Sequence, residues 1–130
     1  DLTDAGLHAI QTSGKATRNI TADPLSGLTE GEIEDARPYC ELIRRWFNLH
    51  PEFSWLPGKF KIAINGAKLD ETALRIHDLG LRLVRNEKGE LGFSVFVGGG
   101  LGAAAMIAAE TASFVPVVDI LSYLELSLRI

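Results

Sequence analysis

The sequence has one cysteine, one methionine and no long apolar run. The lone cysteine, Cys40, excludes an internal disulfide framework and an iron–sulfur cluster held only by thiolates of this chain. No stretch is long and apolar enough to span a bilayer, and no basic segment followed by an apolar one opens the sequence as a secretory signal would. These absences fit a reducing cytosol or an organelle interior, and we expect a cytoplasmic protein without a membrane partner.

The sequence also has fewer basic than acidic residues. It contains 13 lysine and arginine residues and 17 aspartate and glutamate residues, which gives a formal net charge of −4. This balance argues against a protein whose whole surface binds nucleic acid, but it leaves a local basic pocket open. Hydrophobic residues make up 46% and charged residues 23%, as in ordinary globular domains. We therefore expect residues 1–130 to form a single domain. The sequence starts without methionine and stops inside an amphipathic pattern, so we expect truncation at both ends.

Hydrophobic periodicity predicts two helices and several short strands. Apolar residues at helical spacing predict a helix over 35–48, with Pro38 in its first turn, and a closing helix from Val117 to Leu128. Alternation predicts a strand over 59–65, and a turn signal joins strands over 79–85 and 92–97 into a hairpin. Residues 13–31 are rich in turn formers and are predicted to form a long loop. The order predicts an α+β domain with helices on one face of a small, mainly antiparallel sheet.

Lys59 and Lys61 form the first candidate site. Residues at i and i+2 of a strand project from the same face, so the strand over 59–65 would aim both ammonium groups the same way. They form either a pair of cations directed at an anion or an ordinary solvated strand face.

The loop Thr12-Ser13-Gly14-Lys15-Ala16-Thr17-Arg18-Asn19 is the second candidate. It offers hydroxyl groups, backbone N–H groups and the guanidinium of Arg18, whose two parallel hydrogen bonds suit carboxylates and oxyanions. The alternative is a polar surface loop.

The glycine run at 98–102 is the third. It lacks the Gly-Lys-Ser/Thr of a P-loop and the acidic residue of a dinucleotide fingerprint. The run indicates either a tight turn or a backbone that passes very close to something flat or bulky, where a Cβ atom would clash.

Other reactive residue types have simpler interpretations. The three histidines, His8, His50 and His77, lack ligand spacing, so a metal site is not expected. Cys40 falls within the apolar stripe of the first helix and is expected to be a buried core residue. The four aromatic residues Trp46, Phe47, Phe53 and Trp55 are likewise expected in the core.

A set of short motifs follows one order along the chain: Thr12-Ser13-Gly14 with Arg18-Asn19, Asp23-Pro24 with Gly27, the sequences DARPY at 35–39 and LPGKFK at 56–61, Asp78-Leu79-Gly80, and Gly92-Phe93 with VGGGLG at 97–102. In this order the motifs resemble the assimilatory sulfite and nitrite reductases that use sirohaem and a 4Fe–4S cluster. The resemblance runs from about residue 5 to the C-terminus. Gly58 departs from it, where the family often has arginine, and so does Ala103.

The resemblance implies that the chain is the first sirohaem-binding α+β domain of such an enzyme. It implies that Arg18, Lys59 and Lys61 bind sulfite or nitrite on the distal side of the sirohaem iron and support its reduction. The chemistry of the cofactor's many carboxylates agrees with the donors available in the loop and the glycine run. The residues expected to contact the cofactor are Thr12, Ser13, Gly14, Thr17, Asn19, Thr21, Gly98, Gly99 and Gly100.

The resemblance also implies partners that this chain does not supply. The cysteines of the 4Fe–4S cluster lie in the remainder of the parent chain, and ferredoxin or a flavoprotein donates electrons. We therefore expect the isolated chain to be catalytically inactive and to self-associate through an uncovered apolar face. Two rival hypotheses stay open: a non-catalytic anion- or ligand-binding α+β module without a tetrapyrrole, and a purely structural half-domain.

Overall fold

The fold is taken from a computed structural model, which describes residues 3–6, 15–48 and 50–129. Within those ranges, no helix is long and apolar enough to cross a membrane. The strands are β1 (Asn19–Ala22), β2 (Lys61–Asn65), β3 (Leu79–Arg85), β4 (Leu91–Val97) and β5 (Ala109–Pro116). The helices are α1 (Arg37–Phe47) and α2 (Ile120–Leu128), and short 3₁₀ turns cover Glu52–Trp55, Leu74–Ile76 and Val117–Asp119.

The strands form one five-stranded sheet in the order β1-β2-β3-β4-β5. β2 runs parallel to both of its neighbours, whereas β4 runs antiparallel to both β3 and β5. The α1 helix lies in the connection between the parallel strands β1 and β2, which cannot be joined by a tight turn. The α+β class is confirmed. The antiparallel half contains the three longest strands, and the parallel half is a feature that the sequence analysis did not predict.

Both helices pack on one face of the sheet, as predicted. Ile43 and Phe47 of α1 and Ile120 and Leu124 of α2 are buried there in one cluster. The strand residues that this cluster contains alternate along the chain, as a two-residue period requires: Ile62, Ile64, Leu79, Leu81, Leu83, Phe93, Val95 and Val115.

The opposite face of the sheet carries a second, smaller cluster. Ala63 of β2 and Phe96 of β4 are buried there against Leu74 and Ala108, which lie in the segments that follow β2 and β4. The middle of β2 is therefore covered on both faces. Lys61 lies at the start of the strand on this second face and is exposed.

Two strands were missed by the sequence analysis, and each was missed for a different reason. The β1 strand lies inside the predicted loop 13–31, and only its pairing with β2 makes that polar segment a strand. The β5 strand is an edge strand and is mostly exposed, so it lacks the alternation of apolar residues that marks a half-buried strand.

The aromatic cluster is confirmed except for one member. Phe47 and Phe53 are buried, with ring centroids 5.3 Å apart, and Trp46 packs against both rings. The side chain of Trp55 is 79% exposed, so its assignment to the core was wrong. It ends a 3₁₀ turn that buries only Phe53.

Adjacent residues of α1 offer a test of this packing. Ile43→Ala removes a fully buried side chain between helix and sheet, whereas Leu42→Ala trims a side chain that is 45% exposed. We expect the free energy of unfolding to fall by about 2–5 kcal/mol for Ile43→Ala and by less than about 1 kcal/mol for Leu42→Ala. Urea unfolding measures both values, and equal losses would contradict the assignment of this helix face.

Candidate functional site

A cavity of about 460 Å³ opens at the edge of the sheet where β2 and β3 begin and β4 ends. Because β2 and β3 are parallel, the segments that precede them meet at one edge. Because β4 is antiparallel to β3, the segment that follows β4 meets them there. The residues that line the cavity are Gly58, Lys59, Lys61, Ile76, His77, Asp78, Gly100, Leu101 and Gly102.

Lys61 is the first residue of β2, and a hydrogen bond from its backbone N–H holds it in place. Its N–H group donates a hydrogen bond of 2.8 Å to Oδ2 of Asp78. Its side chain lies on the sheet face away from the helices, is exposed and borders the cavity. This agrees with the prediction of an outward-facing cation.

Lys59 reaches the cavity by a different route from the predicted one. The strand begins at Lys61, not Lys59, so the two-residue strand period does not position Lys59. Instead Lys59 lies in a turn with a φ angle of 67°, the left-handed region that non-glycine residues rarely adopt. Both lysines line the same cavity, but the strand that was expected to begin at Lys59 begins at Lys61.

Arg18 lies beside the lysine segment. Its backbone N–H donates a hydrogen bond of 2.7 Å to the carbonyl of Phe60, the residue between Lys59 and Lys61. Arg18 precedes β1 and is exposed, and it is not one of the residues that line the cavity. Three cationic residues, Arg18, Lys59 and Lys61, are therefore neighbours along one edge of the sheet.

The structure describes some of the other polar residues that were predicted to contact the cofactor. Asn19 is opposite Lys61 in the parallel register of β1 and β2, so it shares the face of Lys61. The hydroxyl of Thr21 donates to the carbonyl of Ile62 at 3.4 Å, and the buried hydroxyl of Thr17 has no hydrogen-bond partner among the described residues. Three other predicted residues, Thr12, Ser13 and Gly14, lie outside the described residues.

The glycines at 98–100 differ in what they require. Gly98 has a φ angle of 88°, and its N–H donates to the carbonyl of Asp78 at 3.0 Å. A Cβ atom at Gly99 would come within 2.4 Å of the carbonyl oxygen of His77 and 2.5 Å of that of Arg75. The close approach inferred from the sequence is thus, for Gly99, an approach to the chain's own backbone.

Gly100 and Gly102 are the glycines of the run at 98–102 that line the cavity. A Cβ atom at either position, or at Gly58, would meet no atom within 4 Å. The cavity wall therefore presents open backbone at three points. Gly58, where the resembling family often has arginine, is one of them.

Asp78 and His77 are polar cavity residues that the sequence analysis did not assign to the site. The carbonyl oxygen of Ala73 accepts a hydrogen bond of 3.0 Å from Nδ1 of His77. The signal for Asp78 was present, because the residue stands directly before a strand in the motif Asp78-Leu79-Gly80. Its contact with Lys61 depends on tertiary structure and has no local sequence signal.

Cys40 is partly buried. It lies on α1, packs against the core, and burial raises the pKa of its thiol to about 11. In the ranges 3–6, 15–48 and 50–129, no group of three or more histidine, cysteine or acidic side chains could hold a metal ion. The described part of the chain therefore does not supply the ligands of a 4Fe–4S cluster.

Comparisons with known proteins identify the family. The family described as the nitrite and sulphite reductase 4Fe–4S domain matches residues 13–130. The chain belongs to this family. It is 32% identical over 120 residues to sulfite reductase (ferredoxin) 1 of Mycolicibacterium paratuberculosis, covering 92% of this chain and 21% of that protein. It is also 35% identical over 99 residues to the ferredoxin–nitrite reductase of Leptolyngbya laminosa, covering 73% of this chain and 19% of that protein.

A solved structure supports the same assignment. The NirA protein of Mycobacterium tuberculosis superposes with a TM-score of 0.80 and 32% sequence identity, over 92% of this chain and 21% of that chain. The chain therefore spans about a fifth of the length of the relatives that it matches.

Neighbouring glycines provide a test of the cavity wall. Gly99→Ala drives a Cβ atom into two backbone carbonyls that cannot move aside cheaply, whereas Gly100→Ala adds a methyl group to open space. We expect the free energy of unfolding to fall by about 1–3 kcal/mol or more for Gly99→Ala and to stay within about 0.5 kcal/mol for Gly100→Ala. Thermal unfolding compares them, and the account of this loop fails if Gly100→Ala is the more damaging change.

The raised pKa of Cys40 gives a second test. With a pKa of about 11, far less of the thiol is deprotonated at pH 8 than in a free cysteine. Because the thiolate is the nucleophile, we expect alkylation by iodoacetamide to be roughly 100-fold slower than for free cysteine at pH 8. Mass spectrometry follows the reaction, with urea-unfolded protein as the control. A rate equal to that of the unfolded protein would show that the thiol is not protected.

Proposed function

We propose that the chain is the sirohaem-contacting and oxyanion-binding domain, residues 1–130, of a sulfite or nitrite reductase. The observation that carries the proposal is the meeting of Lys59 and Lys61 in one cavity, with Arg18 fixed beside them through Phe60. In a chain whose net charge is −4, a local concentration of cations is a specific feature of this edge. It suits a small anion.

The chemistry of the donors fits the distal side of a sirohaem. The macrocycle is flat and carries many carboxylates, so its pocket needs open backbone and cationic or N–H donors. Open backbone is present at Gly58, Gly100 and Gly102, and cations are present at Lys59 and Lys61. Sirohaem, when bound, supplies the electron-transfer chemistry of the reaction.

The polar loop and the glycine run would hold the cofactor in this proposal. Thr17 contributes a buried hydroxyl that has no partner within the described part of the chain, which is the condition expected of a group that awaits a ligand. Thr21 fits less well, because its hydroxyl already donates to Ile62. The other residues proposed to contact the cofactor are Thr12, Ser13, Gly14, Asn19, Gly98, Gly99 and Gly100.

The proposed reaction converts sulfite to sulfide or nitrite to ammonia, and oxygen atoms leave as water. The ammonium groups of Lys59 and Lys61 would stabilise the negative charge of the bound oxyanion through hydrogen bonds. They would also hold protons close to the oxygen atoms that depart. Arg18 would add a planar pair of donors on the neighbouring segment.

Electron delivery requires parts that lie outside this chain. One cysteine cannot by itself ligate a 4Fe–4S cluster, and Cys40 is partly buried against the core. We therefore propose that the cluster is held by the remainder of a parent chain, that ferredoxin or a flavoprotein is the donor, and that the isolated chain is inactive. A cytoplasmic location accompanies this proposal.

A non-catalytic anion-binding module is the second candidate. The observation in its favour is that the two lysines and the open backbone are complete within this chain, whereas the ligands of a cluster are not. Such a module would bind an oxyanion without any tetrapyrrole.

A spectroscopic titration separates the two candidates. The full-length protein that carries this sequence should bind sirohaem with visible absorption bands, and sulfite or nitrite should shift those bands. We expect the double variant Lys59→Ala/Lys61→Ala to keep the bands and to bind the oxyanion at least tenfold more weakly, because two charge-assisted hydrogen bonds are lost, each worth about 1.5–3 kcal/mol.

Lys88→Ala is the matched control, because Lys88 is an exposed lysine in the turn between β3 and β4. It should leave both the bands and the oxyanion affinity unchanged. Failure of the wild-type protein to bind sirohaem, together with retained oxyanion binding, would replace the reductase domain by the anion-binding module. An unchanged oxyanion affinity in the double variant would remove the lysines from the site.

A further inference from the structure

Asp78 connects the three segments that form the cavity. It lies in the bend between the 3₁₀ turn Leu74–Ile76 and β3. Its carboxylate accepts the N–H of Lys61 at 2.8 Å, and its backbone carbonyl accepts the N–H of Gly98 at 3.0 Å. One residue therefore bonds to the segment that carries the lysines and to the segment that carries the glycine run.

The hydrogen bond from Lys61 to Asp78 connects β2 to the segment before β3 at a position where the two strands are not yet paired. The parallel register of β2 and β3 begins with Ile62 opposite Leu79, so Lys61 lies one residue before the first paired position. The carboxylate of Asp78 takes the place of the missing backbone acceptor. It extends the hydrogen bonding between the two segments to the lysine at the cavity edge.

The same bond supports the strained conformation of Lys59. A left-handed backbone at a residue other than glycine costs of order 1–3 kcal/mol, and it persists only where the surroundings hold it. The two residues that follow Lys59 are both held: the carbonyl of Phe60 by the N–H of Arg18, and the N–H of Lys61 by Asp78. Loss of either bond releases one side of that constraint.

The charge of Asp78 has the wrong sign for an anion site. Asp78 lines the same cavity as Lys59 and Lys61, and a carboxylate there repels the oxyanion that the lysines attract. Its favourable contribution therefore comes from the position in which it holds the lysines, not from its charge.

We propose that Asp78 is a positioning residue that fixes Lys59 and Lys61 for oxyanion binding through its hydrogen bond to the backbone of Lys61. The proposal rests on the proposed function for its consequence, the binding of the oxyanion, but the hydrogen bond itself can be tested separately.

Two substitutions separate position from charge. Asp78→Asn removes the charge and keeps an oxygen that accepts the N–H of Lys61, whereas Asp78→Ala removes both. Glu87→Ala, in the exposed turn between β3 and β4, is the control for the loss of one carboxylate away from the cavity. All variants are made in the full-length protein that carries this sequence, and thermal unfolding establishes that each is folded.

The first readout is hydrogen–deuterium exchange, which needs neither sirohaem nor activity. Peptides that contain Lys61 should exchange at least tenfold faster in Asp78→Ala and at the wild-type rate in Asp78→Asn and Glu87→Ala. An unchanged rate in Asp78→Ala would overturn the proposal, because the bond would then not hold the segment.

The second readout is the affinity for sodium sulfite. We expect Asp78→Ala to bind sulfite at least fivefold more weakly, and Asp78→Asn to bind it as tightly as the wild-type protein or more tightly. If both variants bind sulfite more tightly, the charge dominates and the positioning role is overturned. If the wild-type protein does not bind sulfite, the proposed function fails, and the exchange rates still decide whether Asp78 holds Lys61.

Discussion

The parallel pairing of β2 with both β1 and β3 is the constraint on which the site depends. It brings the segments before these three strands to one edge of the sheet, and the antiparallel β4 adds the glycine run to the same edge. Arg18, Lys59 and Asp78 come from three distant parts of the sequence and become neighbours only through this arrangement. A one-residue shift of register would move Lys61 to the helix-covered face and remove the cation pair.

The two faces of the sheet differ, because one is buried in the core and the other borders the cavity. On the helix face, alternating residues of β2, β3 and β4 are buried in the main cluster and provide rigidity. On the other face, a smaller apolar cluster around Ala63 and Phe96 is buried, and polar backbone and cations remain open at the edge. The rigid layer therefore supports a site built largely from turns, in which short hydrogen bonds to Phe60 and Lys61 substitute for strand pairing.

The sequence predicts those parts of the arrangement that depend on local patterns of apolar and polar residues. The helix stripe around Ile43, the hairpin of β3 and β4, and the exposed Lys61 all follow from local patterns. The β1 strand could not be predicted, because a polar segment becomes a strand only through its partner. The left-handed turn at Lys59 and the contact of Asp78 with Lys61 are set by tertiary structure, and no local signal encodes them.

A crystal structure of the full-length protein with bound sirohaem and sulfite or nitrite tests the central claim most directly. The account predicts that the oxyanion lies within hydrogen-bonding distance, about 2.7–3.2 Å, of the ammonium groups of both Lys59 and Lys61. It also predicts that the carboxylate of Asp78 remains on the backbone of Lys61. An oxyanion bound elsewhere, with both lysines directed to solvent, would contradict the account.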